Sequence, residues 1–166
     1  MKNFMKICAC FMCIFVFSGC KKPLDDGKTK INTEVNSNAK IDCNGRKYEA
    51  KVVYTPEGSA NITFTSPESV AGTVFSWGGD KYEVSRKNLV GTFTNDPFEK
   101  GIFPSLLVEI FKSLKDEKNV HISENNEGDI VYEGEALGEK FRVRADSSGK
   151  IIMIEVPSQN FSIGFE

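Results

Sequence analysis

The fold is decided by residues 141–165, FRVRADSSGKIIMIEVPSQNFSIGF, in which apolar residues recur at every second position. A period of two is typical of a strand with one buried face. Three apolar faces result, formed by Phe141 and Val143, by Ile152, Ile154 and Val156, and by Phe161, Ile163 and Phe165. Residues 146–149, DSSG, are typical of a hairpin turn. The stretch therefore predicts consecutive antiparallel strands with short connections.

The same alternation runs through the preceding part of the chain and is interrupted by turn residues. Asn44-Gly45 is a strong signal for a two-residue hairpin, and Tyr48, Ala50, Val52 and Tyr54 follow it in alternation. Further short alternating segments continue to Thr94 and resume after Asn119. The connections are too short for parallel crossovers, so we expect about nine strands in one antiparallel sheet.

One segment breaks this period. Its apolar residues recur at three and four positions, as Ile102, Phe103, Leu106, Leu107, Ile110, Phe111 and Leu114. This spacing predicts a helix, and Pro104 fits its first turn. The helix is apolar around more than half of its circumference, which favours a curved sheet wrapped around it. We predict an α+β, mostly β fold: a single curled antiparallel sheet, or half barrel, packed on one main α-helix.

The N-terminus has the composition of an export signal. Lys2 and Lys6 precede eleven unbroken apolar residues, Ile7–Phe17. As a helix these would rise only about 16 Å, against roughly 30 Å for the hydrocarbon core of a bilayer. The segment therefore predicts a cleaved signal rather than a resident membrane helix.

The residues that follow it, Phe17-Ser18-Gly19-Cys20, resemble the lipobox of bacterial lipoproteins. The resemblance implies cleavage before Cys20 and lipidation of its thiol with acyl chains such as palmitate. The protein is then expected to be anchored by lipid to the extracytoplasmic face of the cell membrane. We expect a lipoprotein signal peptide at 1–19, the lipidated cysteine and a flexible tether at 20–40, and the folded domain at 41–166.

Charge and cysteine usage narrow the possible partners. The 21 Lys and Arg residues are balanced by 23 Asp and Glu residues, so the chain has no basic surplus for nucleic acid. Of its five cysteines, Cys8, Cys10 and Cys13 fall in the signal segment and Cys20 is the lipidation site. Only Cys43 remains, which excludes a disulfide framework within the mature chain.

No catalytic pattern emerges from the chemistry-bearing residues. His121 is the only histidine, too few for the usual metal site, and it lies in an alternating strand segment. Cys43 would need an activating base nearby to act as a nucleophile, and its neighbour Asp42 instead opposes formation of the thiolate. Arg86, Arg142 and Arg144 are expected to pair with nearby acids. We predict a protein that is not an enzyme and that has no cofactor and no metal site.

Residues 60–69, ANITFTSPES, with the Trp77-Gly78-Gly79 hairpin and the helix after Pro104, resemble the LolA-like lipoprotein carriers and related lipid-anchored proteins. The resemblance spans about residues 47–166. It implies a half barrel whose concave face holds acyl chains in an aromatic-lined cleft.

The width of the sheet leaves two interpretations open. Nine strands at about 4.8 Å span roughly 40 Å, whereas one helix is about 10–12 Å across. If an apolar groove remains beside the helix, we expect it to bind a lipid or acyl chain and to be lined by Phe64, Trp77, Tyr82, Phe141, Ile154 and Phe161. If the sheet curls tightly, these side chains pack against the helix. The protein is then a structural or interaction module that binds an envelope protein.

Overall fold

The computed structural model describes residues 30–78, 81–94, 103–116 and 119–166. The predicted signal peptide, Cys20 and Ile102 lie outside these ranges. The described strands are β1 (Val35–Cys43), β2 (Arg46–Tyr54), β3 (Ala60–Ser66), β4 (Thr73–Gly78), β5 (Lys81–Arg86), β6 (Leu89–Phe93), β7 (His121–Glu124), β8 (Ile130–Ala136), β9 (Glu139–Ala145), β10 (Ile151–Val156) and β11 (Phe161–Phe165). One α-helix, α1 (Phe103–Asp116), and one short 3-10 helix, Pro157–Gln159, complete these parts of the chain.

All of these strands form a single antiparallel sheet in the order β6-β5-β4-β3-β2-β1-β11-β10-β9-β8-β7. The first half of the chain runs outward from β1 to β6, and the second half runs inward from β7 to β11. β1 and β11 pair at the centre, where Ile41 lies opposite Ile163. The predicted mostly β fold with one curled antiparallel sheet is thus confirmed, with eleven described strands instead of about nine.

The helix α1 packs on the concave face of the sheet. Its buried residues are Pro104, Ser105, Leu106, Leu107, Val108, Ile110, Phe111 and Leu114. These positions occupy more than one stripe, as expected for a helix that a curved sheet surrounds. The ring of Phe111 stacks on Tyr54 of β2 with centroids 4.4 Å apart. No helix in the described ranges combines the length and the apolar content needed to cross a membrane.

The N-terminal boundary of the fold differs from the prediction. Residues 35–40, expected in a flexible tether, belong to β1, which pairs with β2 along its whole length. Ile31 is buried as well, and the backbone of Asn32 bonds to Gly149. Pairing with β2, joined by β11 from Ala39 onward, supplies the hydrogen bonds and burial that this polar segment could not secure alone. The folded part therefore includes at least the ten residues before Ile41.

A β-bulge changes which residues of β10 face the core. The register between β10 and β9 shifts between Ile151 and Met153. As a result Ile151 is buried together with Ile154 and Val156, whereas Ile152 is only half-buried. The predicted inward face of this strand is correct from Ile154 onward and wrong at Ile152, because a bulge inserts one residue into the alternation.

The hydroxyl of Tyr54 is buried and finds no hydrogen-bond partner in the described part of the chain. Burial raises the pKa of Tyr54, and the nearby carboxylates Glu109 and Asp116 raise it further. We expect Tyr54→Phe to increase the free energy of unfolding by about 1 kcal/mol, since a buried unpaired hydroxyl is costly.

The same substitution should change the alkaline limb of the stability profile. Folding raises the pKa of Tyr54, so the folded protein holds the phenolic proton more tightly than the unfolded chain, whose tyrosine pKa is near 10. The resulting stabilisation is fully present below about pH 10 and is lost as the pH rises through the folded pKa. Urea titrations between pH 7 and 11 should therefore show a shallower alkaline decline for Tyr54→Phe. An equal decline in both proteins would contradict the burial of this hydroxyl.

Candidate functional site

A cavity of about 480 Å³ lies on the concave side of the sheet beside the first turn of α1. Strands from both halves of the sheet contribute to its wall, together with the loop before β4 and the 3-10 helix. The lining residues are Cys43, Asn44, Tyr48, Phe64, Val70, Thr73, Phe75, Val84, Phe103, Pro104, Leu106, Gln159 and Phe161. None of them carries a formal charge, and most are apolar.

Four aromatic rings follow one another around the wall. The ring centroids of Tyr48 and Phe64 are 5.9 Å apart, and those of Phe64 and Phe103 are 6.0 Å apart, both edge to face. The ring of Phe103 then lies 5.1 Å from Phe161. Such contacts between large rings fix their orientation. The helix and the centre of the sheet are thus joined through the wall of the cavity.

The alternation of each strand explains why these side chains face inward. Phe64 lies opposite Ala50 on the neighbouring strand β2, so a large ring faces a small side chain. On β4, Thr73 and Phe75 point to the same face, while Val74 between them points to the convex face. Val84 on β5 lies opposite Phe75 and extends the apolar wall.

One end of the cavity is polar but neutral. Asn44 forms the predicted Asn44-Gly45 turn, with both residues at positive φ, and its backbone N–H donates to Asn160. The side-chain amide of Gln159 donates to Glu139 at 2.8 Å, and the hydroxyl of Ser158 donates to the same carboxylate. These two hydrogen bonds lower the pKa of Glu139. The carboxylate thus holds Gln159 in place from outside the cavity.

The structure brings two of the six predicted groove residues, Phe64 and Phe161, into the cavity wall. Trp77 and Tyr82 lie farther along the sheet, where Lys112 of α1 sits 4.2 Å above the indole ring. Ile154 is fully buried in the core, and Phe141 packs over Gly134 on β8. These four residues do not line this cavity.

Sequence reasoning missed several lining residues, chiefly Tyr48, Phe75, Val84 and Phe103. Tyr48 is a predicted strand residue, Phe103 is a predicted helix residue, and Phe75 and Val84 fall in the alternating segments before Thr94. The sequence pattern does not place the four side chains in a common wall. The signal that could have found them is their position relative to the first turn of the helix. Alternation specifies the face of a side chain, whereas only the pairing register places it along the strand.

Of the other chemistry-bearing residues, Cys43 joins this site, whereas His121 and the three arginines do not. His121 is exposed on β7, and the described residues contain no group of three or more metal-ligating side chains. Arg142 pairs with Glu133 at 2.8 Å and Arg144 pairs with Asp129 at 3.3 Å, as predicted. Arg86 instead donates to the main-chain oxygen of Glu68. Cys43, which is half-buried, is the one described cysteine, and it lies in the cavity wall.

The chain has a weak structural similarity to a known protein and no match in sequence. No protein-family profile matches the chain, and no curated protein sequence matches it. Among solved structures, it is similar to a LolA superfamily protein from Nitrosomonas europaea, with 12% identity and a TM-score of 0.38. The match covers 74% of this chain and 62% of that protein, so the chain spans less than two thirds of its length. The fold described above therefore rests on the strand order and packing of the chain itself.

Proposed function

We propose that this chain binds an apolar or amphiphilic ligand, a lipid or an acyl chain, in the cavity between the sheet and α1. The observation that supports it is an aromatic-lined cavity of about 480 Å³ whose lining residues carry no charge. Ligand sites are commonly concave, about 300–1,000 Å³ in volume and lined mainly by apolar side chains with a few polar groups. Asn44 and Gln159 supply such polar groups at one end.

The proposal includes a location. The lipobox-like residues before Cys20 support a lipoprotein anchored at the extracytoplasmic face of the cell membrane. From Cys20 to Ile31 the chain is eleven residues long, which limits its reach to about 40 Å when fully extended. A domain held at that distance lies within reach of membrane lipids and of other envelope proteins.

We propose a binding role without catalysis, and no cofactor. Cys43 is the one thiol in the cavity wall, and no histidine or carboxylate lines the cavity beside it or beside the hydroxyls of Tyr48 and Thr73. Activation of a thiol requires a base or a positive group nearby. This arrangement favours a ligand that is held and released unchanged.

Native mass spectrometry of the full chain, isolated gently, tests the proposal. A bound species with the mass of a lipid or fatty acid is the expected result. Added palmitic acid or phosphatidylglycerol should also protect Cys43 from alkylation by a maleimide, read at that residue by peptide mapping. A chain that carries no lipid, takes up neither probe and shows no protection would contradict ligand binding. The alternative, a structural or interaction module that binds an envelope protein, would then replace the proposal.

Val84→Trp should reduce uptake of palmitic acid more than tenfold, because the indole would occupy the cavity. The matched control is Val74→Trp on the neighbouring strand, where the same ring is added to the convex face. Uptake should remain at the wild-type level in the control. Equal uptake by both variants would place the ligand elsewhere, provided that their urea transitions show both to be folded.

A further inference from the structure

β6 forms one edge of the described sheet and is unusually apolar for an edge. Leu89 is 79% exposed, Val90 63% and Phe93 40%, and the strand contains no charged residue and no proline. Edge strands in soluble proteins are generally protected by charges, prolines or bulges, because their free backbone groups can pair with another strand. The opposite edge, β7, carries His121 and Glu124. β6 is therefore the unprotected edge of the described sheet.

The hairpin register shows which backbone groups of β6 are free to pair. Lys87 and Asn88 join β5 to β6, and Arg86 lies opposite Leu89. The pair that flanks a two-residue turn is hydrogen-bonded, and bonded and non-bonded pairs alternate after it. The backbone groups of Leu89, Gly91 and Phe93 are thus hydrogen-bonded to β5. Val90 and Thr92 direct their N–H and C=O groups away from the sheet.

This edge is complementary to a second copy of itself. If Gly91 lies on a two-fold axis, the antiparallel partner places its Thr92 opposite Val90, and the same pair occurs again on the other side of the axis. The free backbone groups of Val90 and Thr92 then satisfy one another in four hydrogen bonds. On the concave face Leu89 lies opposite the second copy's Phe93, with no side chain on Gly91 between them.

We propose that β6 is the interface of a symmetric homodimer in which two sheets join edge to edge. The occupant is a second copy because the pairs are self-complementary: β-branched side chains meet on one face and an aliphatic and an aromatic side chain on the other. The absence of charge on β6 removes repulsion across the axis. A five-residue ladder is at the small end of protein interfaces, so the dimer should form at about 10–100 μM.

Two variants that differ at one residue test both the interface and its register. Val90→Lys with Thr92→Lys places like charges opposite each other twice across the axis. Val90→Glu with Thr92→Lys places opposite charges there, and Lys at 92 faces Glu83 of β5 in both proteins. Sedimentation velocity of the full chain, in a density-matched detergent that keeps any lipid anchor in solution, measures the association.

We expect the wild type to dimerise, the Glu/Lys variant to dimerise at least as tightly, and the Lys/Lys variant to associate at least tenfold more weakly. Association through the anchor would be equal in the two variants and would overturn the proposal. A wild type that is monomeric up to about 500 μM would also overturn it. If that monomer binds phosphatidylglycerol vesicles more tightly than the Glu/Lys variant, which has the same anchor, the apolar edge contacts membrane instead of a second copy.

Discussion

Phe111→Ala should lower the free energy of unfolding by about 3–5 kcal/mol, the range for deletion of a fully buried ring. Phe111 is 1% exposed and stacks on Tyr54, so its loss opens a cavity between α1 and β2. For a chain of this size the melting temperature should fall by about 10 °C. Urea denaturation followed by circular dichroism measures the change.

The matched control for this prediction is Phe93→Ala, which removes a ring that is 40% exposed and should cost less than about 1 kcal/mol. If the alanine variant at 111 does not fold, Phe111→Leu should show a smaller loss in the same direction. Equal losses at positions 111 and 93 would contradict the packing of the helix on the sheet.

Gly134→Val should destabilise the protein by about 2–3 kcal/mol because the new side chain has no room. A Cβ at Gly134 would lie 2.6 Å from Cζ of Phe141, whose ring covers this glycine from the neighbouring strand. Phe141 is itself 3% exposed, so its ring cannot move into solvent without exposing core surface. Overpacking of this kind typically costs 1–3 kcal/mol.

A double-mutant cycle identifies the cause of that loss. In the Phe141→Ala background, Gly134→Val should cost much less or stabilise, since valine favours strands once the ring is removed. Gly164→Val on β11 is the matched control, because a Cβ there meets no atom within 4 Å. Additive losses at 134 and 141 would show that the two residues do not compete for space.

The sequence predicted the helix and most strands because their apolar periods are regular. Phe103, Leu107 and Leu114 recur at helical spacing, and the structure places all three in α1. The start of β1 was missed, since Asn36, Ser37 and Asn38 have low strand propensity and only their pairing with β2 makes them a strand. Tertiary context thus outweighed local propensity at the centre of the sheet.

The candidate site was predicted only in part for a related reason. Phe64 and Ile154 both face inward, as the alternation requires, yet only Phe64 lies beside the first turn of α1. Which inward residues meet an open cavity depends on where a single helix rests on a wide sheet. That position is set by register and by the bulges in β3 and β10, neither of which is visible in the period of the sequence.

The pairing of β1 with β11 has a consequence for the order of folding. These neighbours come from opposite ends of the described chain, so the contact that joins the two halves of the sheet closes a very long loop. Contacts of such sequence separation form slowly. During synthesis, the edges of β1 and β10 that pair with β11 stay unpaired, and their apolar side chains stay exposed, until the ribosome has released Phe161–Phe165. The centre of the sheet is therefore the last part that a growing chain can complete.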